Sequence, residues 1–269
     1  MAQAENLLET LALEPIEVNL FRGHAPKNQG PRIFGGLVIG HALLAAYRTV
    51  EARLCHSLHC YFIRPGDPSL PILYEVDRAR DGRSFTTRRV TAIQKGEQIF
   101  NLAASFQEAE EGAEHQDPMP DLPRPEDLPS DERERDWGRP IEMRFVDANF
   151  GQPVVGEPLQ RVWMRAVAPL GDDPVLNQAV IAYASDMSFL STSFRPHGWT
   201  WQTPGLQSAS LDHAVWFHRA SRFNDWHLYV QRSPSASGSR GMNFGSIYDA
   251  SGRLVASTAQ EGLMRYRPR

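Results

Sequence analysis

A pattern that occurs twice is the feature that most constrains how this chain can fold. An almost uniformly apolar segment (residues 37–47) precedes stretches in which polar and apolar residues alternate, and a second apolar segment (residues 175–189) precedes further stretches of the same kind. Continuous apolar character over several turns indicates a buried helix, whereas alternation indicates β-strands. The expected strands are residues 56–63, 72–80, 85–94 and 98–107 in the first half, and 159–167, 209–218, 226–232, 241–249 and 253–260 in the second.

Segments of the two halves also align with one another, in the same order. Residues 38–47 match residues 180–189 at an offset of 142, and residues 102–108 match residues 255–261 at an offset of 153. Because the offset grows, the second half should have the longer connection between helix and strands, which residues 195–207 can supply. A helix followed by antiparallel strands, present twice, predicts an α+β protein made from a duplicated unit. The alignment pairs Leu44 with Asp186, His59 with His213, and Gln107 with Gln260.

The segment between the halves has a different composition. Residues 108–139 are acidic and rich in proline and contain almost no β-branched residues, so they cannot bury enough apolar surface to fold alone. We expect a linker laid along the protein surface. The chain then divides into an N-terminal half (residues 1–107), a linker (residues 108–140) and a C-terminal half (residues 141–269).

Several classes of protein are disfavoured by composition. The formal net charge is −4, whereas nucleic-acid-binding proteins are normally basic. The apolar run at residues 37–46 is too short to span a membrane, and residues 1–5 have neither the basic nor the apolar region of an export signal. Cys55 and Cys60 form no disulfide framework and have no metal-ligand partners at suitable spacing. We expect a cytoplasmic protein that binds no nucleic acid, membrane, metal or cofactor.

Motifs along nearly the whole chain outside the linker resemble those of the acyl-CoA thioesterase II family, also called TesB-like. They are Phe21-Arg-Gly, Phe34-Gly-Gly-Leu-Val-Ile-Gly-His-Ala-Leu, His59-Cys-Tyr-Phe-Ile-Arg-Pro-Gly-Asp, Arg80-Asp-Gly-Arg-Ser-Phe-Thr-Thr-Arg-Arg-Val, Tyr183-Ala-Ser-Asp, Ser210-Leu-Asp-His-Ala-Val-Trp-Phe-His-Arg and Val255-Ala-Ser-Thr-Ala-Gln-Glu-Gly. The order of the motifs is that of the family. The resemblance implies a double hotdog fold, in which an antiparallel sheet wraps a long helix in each half, and the hydrolysis of acyl-CoA thioesters.

The resemblance also implies which residues are catalytic, all of them in the C-terminal half. By motif match they are Asp186, Ser210 and Gln260; the best-known members have Thr where this chain has Ser210. Serine keeps the hydroxyl donor and acceptor but lacks the methyl group that restricts the rotamer. A homo-oligomer, a dimer of two-half chains, is expected from the same resemblance.

The residue types are suited to this chemistry. Asp186 lies in a segment with little hydrophilic surface, and a buried carboxylate needs polar partners or has a raised pKa. Such a group can accept a proton from water as the water attacks the thioester carbonyl, with Ser210 and Gln260 holding the water. A thiol with a pKa of about 8.5 leaves as thiolate without strong acid assistance. Structural roles remain open: Asp186 as a cap, Ser210 and Gln260 as partners of the backbone.

Other interpretations of the motifs are open at this point. His213 could act as the general base of a hotdog hydratase, although its alignment with His59 favours a structural histidine. A non-catalytic acyl-CoA-binding protein is a further alternative. Gly35 and Gly36 at a helix start could supply backbone N–H groups to an oxyanion. Residues 233–239 are expected to form a loop at a pocket rim.

Overall fold

The structure is a computed structural model that describes residues 7–26, 30–129, 140–147 and 151–268. In this part of the chain, thirteen strands form one antiparallel sheet. The first half contributes β1 (Glu14–Glu17), β2 (Leu20–Gly23), β3 (Leu54–Phe62), β4 (Ile72–Asp81), β5 (Phe85–Gln94) and β6 (Glu97–Gln107). The second half contributes β7 (Ile141–Phe145), β8 (Leu159–Ala166), β9 (Leu206–Ser210), β10 (Asp212–Phe217), β11 (His227–Ser237), β12 (Arg240–Asp249) and β13 (Leu254–Tyr266). The helices are α1 (Leu7–Thr10), α2 (Gly35–Tyr47) and α3 (Pro174–Ser185).

The order of the strands repeats in the two halves. From the outer edge inward, the first half runs β1-β2-β4-β5-β6-β3 and the second runs β7-β8-β11-β12-β13-β10, with β9 paired to β13. The halves join where β3 pairs with β10, with Cys60 opposite His213 and His59 opposite Ala214. This repeated order confirms the predicted α+β architecture of two similar halves.

Helices α2 and α3 pack against each other inside the curved sheet. A Cβ atom on Gly36 would lie 2.3 Å from the carbonyl oxygen of Tyr183, so only glycine permits this approach of the two backbones. Helix α2 also contacts strands β2, β4, β5 and β6. With α3 on one side and the sheet around the rest, α2 has almost no exposed face, which explains why its sequence is apolar all round.

Several expected boundaries were wrong. Helix α3 ends at Ser185, and the segment expected to continue to residue 189 instead turns, with Ser188 at φ 58°. The strand expected at residues 209–218 is broken at Leu211 into β9 and β10. The expected loop at residues 233–239 is wrong, because β11 extends to Ser237. The longer helix-to-strand connection of the second half is confirmed: it comprises residues 186–211, against residues 48–53 in the first half.

The described part of the interdomain segment, residues 108–129, lies on the outer face of the second half's sheet. Met119, Leu122 and Leu128 pack against a cluster that contains the buried Trp163. The indole N–H of Trp163 donates to the carbonyl oxygen of Pro123 over 3.0 Å. The segment thus covers an apolar patch of the sheet, although it contains no strand. No helix in the described residues has the length and apolar character needed to cross a bilayer.

Candidate active site

Asp186 lies where the end of one helix meets the start of the other. It is the C-cap residue of α3, and its carboxylate accepts a hydrogen bond from the backbone N–H of Gly36 in the first turn of α2. A Cβ atom on Gly35 would lie 2.7 Å from Oδ2 of Asp186. The N-cap residue of α2, Phe34, provides no side-chain cap. The second half therefore supplies an acid that occupies the positive end of the first half's helix.

Gln260 connects this carboxylate to the sheet. It is fully buried in the middle of β13. Its Nε2 donates to Oδ1 of Asp186 over 2.6 Å and to Nδ1 of His213 over 3.1 Å. Both N–H groups of the amide are thus used, whereas Oε1 has no hydrogen-bond partner within the described residues. The amide orientation follows from these contacts, because only the nitrogen end can donate to a carboxylate.

Ser210 reaches the same carboxylate because of a β-bulge. Its Oγ donates to Oδ1 of Asp186 over 3.4 Å. Ser210 on β9 lies opposite Gly262 on β13, whereas Ala214 on β10 lies opposite Ala259. Between these two pairs, the β9–β10 segment therefore contains one residue more than β13. The extra residue turns Ser210 towards the inner face, on which His213 also lies. The single strand expected from the sequence would have placed Ser210 and His213 on opposite faces.

The bulge itself is held by Asp212. The Oδ1 atom of Asp212 accepts a hydrogen bond from the backbone N–H of Glu261 over 2.6 Å. The backbone N–H of Leu211 donates to the carbonyl oxygen of the same glutamate over 3.0 Å. Asp212 therefore satisfies a backbone donor at the irregular point of the ladder, and it makes no bond to the neighbouring His213 side chain.

The pKa of Asp186 is raised. Loss of solvation is the largest cause, and the hydrogen bonds from Gln260, Gly36 and Ser210 oppose it by stabilising the charged form. As whole residues, Asp186 and Ser210 are both half-buried. A carboxylate with a raised pKa is a suitable proton acceptor.

His213 is a buried member of this network. Ser185 donates its hydroxyl proton to the carbonyl oxygen of Ala182, so its Oγ can only accept from Nε2 of His213, 2.8 Å away. The proton of the neutral ring therefore resides on Nε2, and Nδ1 accepts from Gln260. Burial lowers the pKa of His213 to about 3, which keeps the ring neutral. A histidine enclosed in this way is poorly placed to take a proton from a substrate.

Three of the expected correspondences between the halves were wrong. His59 is exposed and contacts Trp216, so it does not share the buried position of His213. Gln107 ends β6 opposite Phe85, whereas Gln260 lies in mid-strand.

The residue that corresponds to Asp186 at a helix end is the C-cap of α2, Arg48, and not Leu44 inside that helix. The short sequence matches were each displaced by a few residues. The sequence also gave no sign of the Gly36 contact, apart from the two consecutive glycines at the helix start.

The remaining candidates do not form other sites. Cys55 and Cys60 are free and buried. The described residues contain no group of three or more His, Cys, Asp or Glu side chains that could hold a metal ion. The N–H of Gly36, expected as an oxyanion donor, faces the carboxylate of Asp186 instead.

Comparison with known proteins covers almost the entire chain. The profile of the acyl-CoA thioesterase family matches residues 134–263, and that of the acyl-CoA thioesterase N-terminal domain matches residues 24–107. Human acyl-coenzyme A thioesterase 8 is 40% identical over 96% of this chain and 88% of its own. Acyl-CoA thioesterase 2 of Haemophilus influenzae is 37% identical over 97% of each chain. The crystal structure of the acyl-CoA thioesterase II TesB2 from Mycobacterium marinum is 45% identical and superposes with a TM-score of 0.86, covering 97% of this chain and 99% of that one.

Proposed function

The chain belongs to the TesB-like acyl-CoA thioesterase II family, and on that premise we propose that Asp186, Gln260 and Ser210 together activate the water that cleaves its substrate. Its fold is the double hotdog, and its reaction is the hydrolysis of acyl-CoA thioesters. The observation that carries the proposal is the convergence of the amide of Gln260 and the hydroxyl of Ser210 on one carboxylate oxygen, 2.6 and 3.4 Å away.

The reaction follows from the acid–base properties of these groups. A water beside Asp186 gives a proton to the carboxylate as its oxygen bonds to the thioester carbon. The carbon–sulfur bond then breaks, the thiolate of coenzyme A leaves, and the proton held by Asp186 can pass to it. A thiol with a pKa of about 8.5 departs without a strong acid, so the site needs no charged histidine. The products are the free acid and coenzyme A.

The raised pKa of Asp186 favours this role, and the hydrogen bonds limit the rise. Desolvation makes the carboxylate a better base than a free aspartate, whose pKa is about 3.9. The contacts from Gly36, Gln260 and Ser210 preserve the charged form that must accept the proton. The carboxylate is thus more basic than that of a free aspartate, while three hydrogen bonds favour its charged form.

His213 acts on the reaction through Gln260 in this proposal. The bonds from Ala182 through Ser185 to His213 fix the ring tautomer, and Nδ1 of the ring then fixes the nitrogen end of the Gln260 amide beside Asp186. His213 is a positioning residue. This arrangement disfavours the hydratase alternative, in which the same ring would face the substrate.

The first experiment measures release of free thiol from acyl-CoA of several chain lengths by the wild type and by Asp186→Asn. We expect turnover by the wild type and a loss of at least about 100-fold in the variant, because asparagine cannot accept the proton. Arg48→Ala is the matched control, since Arg48 is the exposed C-cap residue of the other helix. Equal rates for wild type and Asp186→Asn would refute Asp186 as the base.

The division of the chain and its assembly are also proposed. Strand β6 ends at Gln107 and β7 begins at Ile141, which supports halves at residues 1–107 and 141–269 joined by a linker at residues 108–140. The family profiles, matched at residues 24–107 and 134–263, support the same division.

We further propose a dimer of two-half chains. Light scattering after size-exclusion chromatography tests this, and a mass of one chain would contradict it.

A further inference from the structure

One fully buried side chain next to the catalytic group has no hydrogen-bond partner at all in the described residues. It is Asn243 on β12, whose Nδ2 and Oδ1 are both unpaired. Asn243 lies directly opposite Gln260 on β13, and the Oε1 atom of Gln260 is unpaired as well. Buried amides are nearly always hydrogen-bonded, so two adjacent amides that both have unpaired atoms need an explanation.

A second buried amide on the same face shows what a purely structural residue does here. Gln231 on the neighbouring strand β11 is equally buried. Its Oε1 accepts from Nε2 of Gln160 over 2.7 Å and from the hydroxyl of Thr192 over 2.9 Å. Its Nε2 donates to Oγ of Ser188 over 3.3 Å. The surrounding residues therefore can satisfy a buried amide on this face, yet they leave Asn243 without a partner.

The position of Asn243 relates it to the acyl group of a substrate. Adjacent strands are about 4.8 Å apart, so Asn243 is one strand removed from the residue that contacts Asp186. A group bonded to Asn243 would lie within the first few carbons of the acyl chain, counted from the thioester. The 3₁₀ helix Leu190–His197 packs on the same face of β12, where Gly241 lies against Ser193.

We propose that Asn243 selects acyl-CoA substrates whose acyl group carries a hydroxyl or oxo group close to the thioester. This inference rests on the proposed function. An unsubstituted acyl chain would bury the amide against methylene groups and leave it unpaired, whereas a hydroxyl can both accept from Nδ2 and donate to Oδ1. A site with a buried polar group discriminates strongly against the analogue that cannot bond to it.

The test compares matched acyl-CoA pairs of equal length, one unsubstituted and one with a hydroxyl on the third carbon. We expect the wild type to have at least about 10-fold higher kcat/KM for the hydroxyacyl substrate. In Asn243→Leu this ratio should fall to about one or below, through better turnover of the unsubstituted substrate and worse turnover of the other. A wild type with no preference, or a ratio that the variant leaves unchanged, overturns the inference.

Stability distinguishes this role from a structural one. Because the Asn243 side chain makes no hydrogen bond within the described part of the chain, the ligand-free Asn243→Leu variant should unfold at the same temperature as the wild type or at a higher one. The matched control Gln231→Leu should unfold at a lower temperature, since it leaves the groups that bond to Gln231 unpaired. If Asn243→Leu does not fold, Asn243→Ala carries the same selectivity test. Asp186→Asn tests the proposed function separately. It should lose hydrolysis of both the unsubstituted and the hydroxyacyl substrate, whatever the preference between them.

Discussion

The two halves place different side chains at corresponding points on the inner face of the sheet. The hairpins β5–β6 and β12–β13 correspond, and Arg88 lies opposite Ala104 in the first as Asn243 lies opposite Gln260 in the second. Arg88 is as buried as Asn243, but its guanidinium donates to Oγ1 and the carbonyl oxygen of Thr49, to Asp81, and to the carbonyl oxygens of Arg80 and Thr87.

The two positions differ in the number of buried polar atoms that lack a hydrogen-bond partner. In the first half every N–H direction of the buried cation is used, and Ala104 presents no polar atom to it. In the second half the neighbouring amides retain unpaired atoms beside a carboxylate. A closed network stabilises the fold, whereas unpaired polar groups beside the proposed catalytic carboxylate can bond to a substrate. Of these two corresponding positions, Arg88 has all its hydrogen-bonding groups paired, whereas Asn243 has unpaired groups.

The helix starts show the same contrast. Helix α3 is capped locally, because Oδ1 of Asp173 accepts from the backbone N–H of Val175 over 2.9 Å. Helix α2 has no such cap from Phe34, and its first turn binds Asp186 instead. The first turn of α3 is thus capped by a residue of its own half, whereas the first turn of α2 binds a carboxylate from the other half.

The largest effect that we expect from this contrast is a difference in enzyme activity between substitutions of Gln260 and Gln107, whose flanking sequences resemble each other. Gln260→Leu should lower kcat by about 100-fold or more, because Asp186 loses the 2.6 Å hydrogen bond from Gln260 and the water loses the neighbouring amide. Gln107→Leu, at the end of β6, should leave kcat within about 2-fold. Steady-state thiol release measures both. Comparable losses in the two variants would mean that the halves share the catalytic work.

The next effect is on stability and concerns Arg88. Arg88→Met should lower the free energy of unfolding by about 2–3 kcal/mol, because the carbonyl and hydroxyl oxygens of Thr49 and the other acceptors lose a charged donor. The kcat should change little. Arg89→Met is the matched control, since Arg89 is adjacent and exposed, and it should shift stability by less than about 0.5 kcal/mol. Urea unfolding checks both, and a large fall in kcat for Arg88→Met with stability retained would contradict the contrast.

A smaller effect is a difference between the pH at which activity is lost and the pH at which stability is lost. Burial raises the pKa of Asp186, so kcat/KM should fall with decreasing pH at a value above the ordinary aspartate pKa of about 3.9. The pKa of Asp249 is lowered, although desolvation opposes this, because Ser251 and Arg253 bond to its carboxylate. The stability from Asp249 is therefore present above its unfolded pKa and is lost only as pH falls through the lower folded value. Activity should thus disappear while the protein remains folded; simultaneous loss by rate and circular dichroism would disprove the separation.

The smallest effect concerns the hairpin turns. The turn of β12–β13 depends on Asp249, whose Oδ1 accepts from the backbone N–H groups of Ser251 and Arg253 over 2.9 and 3.0 Å. Asp249→Asn should cost about 1 kcal/mol at pH 7. The turn of β5–β6 depends on positive φ at Lys95 and Gly96, so Lys95→Gly should be neutral or slightly stabilising. Thermal unfolding of the two variants checks this, and equal destabilisation would show that the turns are held alike.

The sequence predicted what depends on local pattern. Strands β4, β5 and β6 alternate and end at turn residues, so their expected bounds lie within a residue or two of those observed. Strand β1 is exposed along its whole length and has no alternation to detect. The end of β11 was missed because its serines and Pro234 are typical of loops; Pro234 falls where the register of β11 shifts, the kind of place where a strand tolerates proline.

The site was only partly predictable for a related reason. Asp186, Ser210 and Gln260 were expected from the family resemblance, and the structure brings all three together. The contact from Gly36 depends on how two helices from different halves cross, and the orientation of Ser210 depends on one extra residue in a strand. Asn243 gave no signal, because whether a buried amide lacks a partner is a property of every neighbour around it.

The contact between Gly36 and Asp186 has a consequence for how such a chain can change over generations. Asp186 and the backbone N–H of Gly36 that binds its carboxylate come from different repeats, so neither repeat contains this arrangement by itself. Under the proposed mechanism, selection for turnover therefore acts on both copies of the duplicated unit. The first copy has the buried Arg88 where the second has Asn243, but under the proposed mechanism it must keep the glycines at its helix start. Because both repeats lie in one polypeptide, Asp186 and the glycine that donates to it are always inherited together.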